Sequence, residues 1–417
     1  MKGSLSASDR VLARQLFQGA GWRIVRSELV LRRLAMEVHV EATGWKAACA
    51  RCGRRCPVHD VKARHREWRH TCAWGLRTIV IASLRRVRCR GCGVRIERIP
   101  WARPRSHFTV HFEAEILGRV RDAPVQAVCR QLGVHWTSVM RLVERWVDRA
   151  APRHFRAKLC RIGVDEASYG RGRQKYLTLV WDHDRRQIVW IEKGSERATL
   201  GVFFAKLGPR RARELRCVTM DMAPGYVAAA REQAPGVDIV FDRFHIERHL
   251  THALNEVRKA ELRRAGRQHR DIIRGKKFLL MRKRRRLHWR LRRDLDLVFQ
   301  ISPRLRKAYA LKEQFADIWA ATDEVQMAAR LLAWRQALRW QHLRPFERFW
   351  EMIRSHAAGV LAWVRHRLTN AALESHNARV RSLSLRAHGY RNPRNLITML
   401  YFCSWRTPPP PSHPKAR

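Results

Sequence analysis

Apolar positions follow three different rhythms along the chain. Between 158 and 245 they come as short runs, at 159–164, 176–181, 187–191, 215–220 and 237–241, separated by helix-patterned stretches at about 199–207 and 224–234. Short apolar runs alternating with helical segments predict strands and helices of one α/β domain. From about 244 to 366 these runs vanish. Leu, Trp and Ala recur among many Arg residues, which predicts a mostly helical insertion, and a last helix is expected at roughly 368–384. The N-terminal third is less regular. Residues 1–40 suit a short helix and then a strand at 34–40, and a second strand is expected at 77–84, running directly into Cys89. Residues 112–150 are helical in pattern, broken at Leu132-Gly133-Val134. No apolar stretch approaches the roughly 20 residues of a membrane span, and the first residues lack a secretory pattern. The expectation is a soluble, cytoplasmic, nucleoid-associated chain.

Charge changes this picture. Lys and Arg number 86 against 36 Asp and Glu, a formal +50 in 417 residues. A free chain so charged repels itself, so a polyanion such as nucleic acid is the expected partner. The insertion carries the run Arg282-Lys283-Arg284-Arg285-Arg286 and also Trp319, Trp334, Trp340 and Trp350. The run is expected to track DNA backbone or support dimer contacts, and the tryptophans to be core more than base-stacking residues.

The ten cysteines are too sparse for a disulfide scaffold. Four form two C-x-x-C-G knuckles, Cys49 with Cys52 and Cys89 with Cys92, and such a set offers four thiolates to one tetrahedral structural Zn2+. Cys56, His59 and Cys72 are alternative ligands. Downstream, 124–146 has the pattern of a helix-turn-helix: a helix at about 124–131, a turn at Gly133, and a second helix at about 135–147. Val128, Leu132, Val134, Val139 and Leu142 would pack between the helices, with small Cys129 at their close approach. The second helix would offer His135, Trp136, Thr137, Ser138 and Arg141 to the major groove.

Three aspartates stand at the ends of expected strands: Asp165, Asp221 and Asp242. Carboxylates converging at one sheet edge repel unless cations are present. Mg2+ or Mn2+ suits such oxygens, and a pair of ions can clamp an in-line phosphoryl displacement. A further carboxylate is Glu374, which shares a helix face with Asn370 and Asn377 through spacings of four and three. These residues alone leave four carboxylates and no choice of a third member.

The combination resembles the ISL-three family of insertion-sequence transposases. The matching motifs are Gly163-Val164-Asp165-Glu166, Thr219-Met220-Asp221-Met222 with Gly225-Tyr226, Asp242-Arg243-Phe244-His245, Asn370-x-x-x-Glu374-x-x-Asn377, and Arg386 to Asn392. The resemblance spans about 45–402 and includes the knuckles and the helix-turn-helix in the same order. It implies a multidomain α+β protein: zinc ribbon, helix-turn-helix, and a ribonuclease-H-like α/β nuclease core split by an all-helical insertion. It implies that Asp165, Asp221 and Glu374 form the metal-binding catalytic triad. It leaves Asp242 in a supporting role with His245, and Asn370 and Asn377 as further supports. The family often has Gly after the catalytic Glu, where this chain has Ser375. The expected divisions are 1–108, 109–155, 156–402 with the insertion at about 246–366, and a disordered tail at 403–417. The implied activity is DNA strand cleavage and transfer at terminal inverted repeats, with a homodimer or larger assembly on DNA. The alternatives are a non-catalytic DNA-binding regulator with a decayed nuclease core, and a nuclease that cuts without joining.

Overall fold

The computed structural model describes residues 21–73, 75–170, 175–387 and 389–405. The chain divides into two compact units at Val147/Asp148, each treated by itself below. The short helix expected near the N-terminus falls within residues 1–20 and lies outside the described residues.

The first unit is built on a six-stranded sheet. Its strands are β1 (Trp22–Val30), β2 (Ala35–Ala42), β3 (Lys46–Ala48), β4 (Arg55–Ala73), β5 (Leu76–Cys89) and β6 (Gly93–Ile96). The order is β1-β2-β5-β4-β3, with β6 also paired to β5. The expected strands at 34–40 and 77–84 fall on β2 and the first part of β5. The partner of β5 is the 19-residue β4, which no apolar run announced. Its described buried side chains are only Cys56, Trp68 and His70. Backbone pairing with β5 from Val58 to Ala73 forms this strand, rather than hydrophobic alternation. Trp101 stands edge-on to Trp22 and Trp68, with ring centroids 4.7 and 5.5 Å apart, and fills the centre of this core.

Three helices follow: α1 (Val110–Asp122), α2 (Val125–Leu132) and α3 (Trp136–Arg156). Thr109 caps α1 by accepting from the Phe112 amide, and its hydroxyl also meets His70 Nδ1 on β4 at 2.8 Å. Glu113 on α1 is buried and bound by Ser106, Arg103 and Arg145 at 2.8, 2.8 and 3.3 Å. Arg145 belongs to α3, so one carboxylate ties the first and third helices together. Burying Glu113 without those donors would be costly.

The second unit contains a five-stranded sheet in the order β11-β10-β7-β8-β9. The strands are β7 (Arg161–Ser168), β8 (Tyr176–Asp182), β9 (Gln187–Lys193), β10 (Cys217–Met220) and β11 (Asp238–Phe241). The first three form an antiparallel meander, while β10 lies parallel to β7 and β11 parallel to β10. The connections are α4 (Arg197–Leu207), α5 (Pro209–Ala212) and α6 (Pro224–Gln233). Every regular element from 243 to 366 is helical: α7 (Arg243–Arg264), α8 (Arg267–Ile273), α9 (Lys277–Met281), a 3-10 turn at Arg284–Arg286, α10 (Trp289–Ile301), α11 (Pro303–Ile318), α12 (Glu324–Leu338), α13 (Arg344–Ser355) and α14 (Ala357–His366).

The insertion returns to the sheet by a close contact. A Cβ at Gly359 on α14 would lie 2.4 Å from the Phe241 ring and 2.9 Å from the Ile239 carbonyl oxygen. Only glycine allows that approach to β11. Trp319 and Trp334 are buried and Trp350 packs partly buried against the same core. Trp340 departs from the expected core role, being 73% exposed. The chain closes with α15 (Ala371–Arg386) and α16 (Pro393–Ser404). Residues 403 and 404, expected in the tail, belong to α16, and the buried Trp405 donates its indole N–H to the Ile188 carbonyl at 2.9 Å. Residues 406–417 lie outside the described residues. Among the described residues no helix is long and apolar enough to cross a membrane.

Candidate active site

The carboxylates meet where the sheet is uneven. The ladder between β10 and β7 ends at Thr219 and Gly163, while β7 continues along β8 through Ser168. Asp165 therefore sits within a strand, not at its end as expected, on the stretch of β7 that has lost its β10 neighbour. Asp221 follows the last residue of β10, and Asp242 the last of β11. Ending two parallel strands beside a longer third opens a notch at their C-terminal ends, where α/β folds commonly bind ligands.

Within the notch each carboxylate is held differently. Asp165 is buried. Its Oδ1 accepts the Glu166 amide at 2.8 Å and its Oδ2 accepts Asn377 Nδ2 at 2.7 Å. Burial pushes its carboxyl above the ordinary range and the charge of Asp221 adds to this, while the Glu166 amide, His245 and Asn377 oppose it. Asp221 accepts the Ala223 amide at 3.2 Å, a turn that launches α6. Asp242 is 1% exposed. Its Oδ1 accepts the Asn370 amide at 3.2 Å and its Oδ2 lies 3.1 Å from His245 Nδ1. Burial pulls the His245 imidazole down, but its bond to Asp242 and the charges of Asp242 and Asp165 prevail and raise it. The fully enclosed Asp242, occupied by two partners, is a structural anchor.

Helix α15 is pinned at two points. Asn370, buried at its N-cap, donates from Nδ2 to the Val164 carbonyl at 3.3 Å and accepts the Thr219 hydroxyl on Oδ1. Thr219 in turn lies 2.7 Å from His183 Nε2. Because the Thr219 proton points to Asn370, the histidine must supply the other proton, and burial holds His183 neutral with its pKa pushed down to about 4. Asn377 reaches β7 again through Asp165 and, at 3.3 Å, the Glu166 carbonyl. Glu374 is on the helix between these two anchors, and its side chain lies outside the described residues, as does His388 of the Arg386 to Asn392 motif.

Several neighbours to which the sequence assigns no role complete the site. Glu166 is half-buried, and burial raises its carboxyl, helped by the charges of Asp221 and Asp165 and opposed by the Tyr226 phenol. Tyr226 also meets the Thr178 hydroxyl at 2.8 Å. A Cβ on the adjoining Gly225 would come 3.2 Å from the Arg197 amide, so Gly-Tyr there lets α6 close on α4. Beside Asp221 a cavity of about 360 Å³ is lined by His245, Arg248, His249 and His356. Arg248 and His249 follow His245 by three and four residues, so their shared face was readable from helical spacing. His183 and His356 carried no such signal.

The residues fit a hard divalent cation. Burial, with a smaller contribution from the charge of Asp221, raises Asp165, and the buried Oδ1 of Asn377 has no partner among the described residues. Carboxylate and amide oxygens of this kind are the donors such ions and their waters prefer.

In the first unit the four knuckle sulfurs of Cys49, Cys52, Cys89 and Cys92 lie within 4.8 Å of one another. The turns that bring them there are built by the Gly53 amide donating to the Cys49 carbonyl and the Cys92 amide to the Cys89 carbonyl. Gly53 and Gly93 have φ of +75° and +72°, which favours glycine. A backbone amide at Gly91 is the main cause that lowers the Cys89 thiol to about 6. The set suits a tetrahedral zinc. The alternatives are outside it: Cys56 Sγ bonds the Arg54 carbonyl, His59 meets Arg88, and Cys72 accepts from Arg69. In the helix pair, Gly133 takes φ +63° between α2 and α3. Val128, Cys129, Leu132, Val139 and Leu142 are buried, and Val134 is half-buried. His135, Trp136, Thr137 and Arg141 are exposed and Ser138 is half-buried.

Comparison with known proteins covers all of these parts. The model of a family described as a transposase matches 162–400, that of the helix-turn-helix domain of transposase family ISL3 matches 97–147, and that of the zinc-finger of transposase IS204/IS1001/IS1096/IS1165 matches 45–92. The transposase for insertion sequence element IS1557 of Mycobacterium tuberculosis is 30% identical over 378 residues, 84% of each chain. The transposase for insertion sequence element IS1001 of Bordetella parapertussis is 26% identical over 362 residues, 86% of this chain and 88% of its own. The Drosophila P element transposase strand transfer complex aligns with 73% of this chain and 94% of its own at 10% identity and TM-score 0.39.

Proposed function

The chain belongs to the ISL3 family of DDE transposases, and from that premise we propose that it cuts and joins DNA at the ends of its own insertion sequence through Asp165, Asp221 and Glu374. The observation that carries this is the pair of anchors on α15. Asn370 and Asn377 both reach β7, and Glu374 falls between them at spacings that return to one helix face. These two anchors support the reading of Glu374, on the same helix face by spacing, as the third carboxylate.

Mg2+ or Mn2+ is the proposed ion, held by the three carboxylates. When bound, such ions would offset the carboxylate repulsion and polarise the phosphodiester under attack: at the element's end, water displaces the 3′ oxygen, and in target DNA the freed 3′ hydroxyl displaces the target's own 3′ oxygen. The chain's own groups do the positioning. The Glu166 and Ala223 amides aim Asp165 and Asp221, and Asp242 holds His245 and the start of α15. The Arg248 guanidinium lining the cavity beside Asp221 supplies a positive donor for flanking phosphates, and the imidazoles of His245, His249 and His356 line the same cavity. His135, Trp136, Thr137, Ser138 and Arg141 are proposed to read the terminal inverted repeats, and Cys49, Cys52, Cys89 and Cys92 to hold one structural Zn2+. Two-ended synapsis calls for a homodimer or larger assembly on DNA.

The test incubates the full chain with duplexes carrying the element's own ends and follows both products. End cleavage and joined product, each requiring a divalent ion, are expected. Cleavage without joining would make the chain a nuclease. Binding without cleavage in any divalent ion would make it a regulator with a decayed core.

A further inference from the structure

The insertion contains a basic loop whose backbone is fixed with unusual thoroughness. Lys312 on α11 is buried, its side chain 6% exposed. Its ammonium donates to the carbonyls of Leu280 and Arg282 at 3.2 and 2.8 Å and pairs with Glu313. The Tyr309 hydroxyl donates to the same Arg282 carbonyl at 2.8 Å. The Arg284 amide donates to Glu313 at 3.0 Å, and its guanidinium meets both oxygens of Asp296 at 2.7 and 3.0 Å. Arg292 reaches back to the carbonyls of Leu287 and Arg285 at 3.0 and 3.4 Å.

These bonds point the negative ends of the loop's peptides inward and spend its nearby carboxylates on Lys312 and Arg284. Among the described residues no carboxylate pairs with Lys283, Arg285 or Arg286. Burying an ammonium to rigidify a loop whose outer face is cationic is costly in isolation. A polyanion laid on that face offsets the repulsion. The loop ends at Trp289, the first residue of α10 and 60% exposed, with the Arg290 guanidinium 5.2 Å from its ring centre. A single exposed tryptophan is unremarkable on most surfaces. Beside a preset row of phosphate-binding cations it is a stacking surface of the kind that takes bases of any sequence.

We propose that residues 282–290 form a preorganised DNA contact in which Lys283, Arg285 and Arg286 grip the phosphate backbone and Trp289 stacks on a base that has left the duplex. The assignment rests on the reading of the chain as a DNA-cutting enzyme, and its test is independent of cutting. Affinity of the full chain is measured without added Mg2+ or Mn2+ and without chelator, so that the zinc is retained, across a salt series, by anisotropy of two labelled probes: a random-sequence duplex, and the same duplex with a central mismatched bubble. The double substitution Arg285→Ala/Arg286→Ala should make the salt slope shallower by about two on the duplex. Trp289→Ala should weaken binding of the bubble roughly ten- to hundredfold and leave the perfect duplex nearly unchanged, with Trp289→Phe retaining most of the affinity. Equal binding of both probes by Trp289→Ala and wild type would overturn the stacking role. An unchanged salt slope for the arginine double variant would overturn the backbone role. If that variant instead changes the sedimenting mass, the loop is a contact between copies of this chain. Failure here leaves metal-dependent cleavage untouched, and failure of cleavage leaves this binding assay readable.

Discussion

At the scale of single residues, the site is a set of carboxylates sorted by enclosure. Asp242 is 1% exposed and enclosed between the Asn370 amide and the His245 imidazole, whereas Asp221 lines the cavity and Asp165 lies on the stretch of β7 that has lost its β10 neighbour. Asp165→Asn and Asp221→Asn should each slow DNA cleavage about a hundred- to thousandfold or more. Mn2+ is expected to raise the melting temperature of wild type, and both variants should lose that rise. His183 supplies a pH test. Its folded pKa of about 4 lies below the ordinary histidine value of 6.5. Between those values the unfolded chain binds a proton that the folded one refuses, so stability is complete above 6.5 and lost as pH falls toward 4. The loss is on the order of 3 kcal/mol at most. A Tm series across that window should slope downward to acid for wild type and more gently for His183→Gln, which donates to Thr219 without titrating. Legibility at this scale was uneven. Asp221 and Asp242 closed short apolar runs and stood out. Asp165 was found for a partly mistaken reason, because β7 continues to Ser168 and its position depends on where β10 stops, a pairing fact that no local pattern encodes.

At the scale of elements, long-range hydrogen bonds decide what local propensity leaves open. The strands of the second sheet and the all-helical insertion were readable, since buried strands are apolar runs and helices keep their period. Strand β4 was not. Most of its side chains are polar and few of the described ones are buried, and it is a strand because β5 pairs with it along its length. Helix α15 depends on distant partners in the same way. Asn370→Ala would remove the donor to the Val164 carbonyl and the acceptor of the Thr219 hydroxyl proton in the interior, a cost of about 1–3 kcal/mol. Urea unfolding of the second unit should report that loss, and cleavage should fall with it as Glu374 loses its register. The zinc knuckles, by contrast, were legible from spacing alone, because the chemistry requires adjacent ligands. Metal analysis should return about one zinc per chain, and Cys49→Ser should lower that content together with the melting temperature of the first unit.

Taken as a whole molecule, the chain carries +50 and spreads DNA-directed chemistry over a ribbon, a helix pair, a notch and an insertion. Binding to its element ends should weaken steeply with salt, and the slope should exceed that of the helix-turn-helix substitutions alone. What distinguishes this account from one built on three strand-end aspartates is the choice of Glu374 over Asp242. Single-turnover cleavage of a pre-bound element end, with Mg2+, is the most direct test of that choice. Glu374→Gln is predicted to bind the end as wild type does and to cut a hundred- to thousandfold more slowly or worse, while folded Asp242→Asn retains much more activity. Cutting by Glu374→Gln at the wild-type rate would contradict the account.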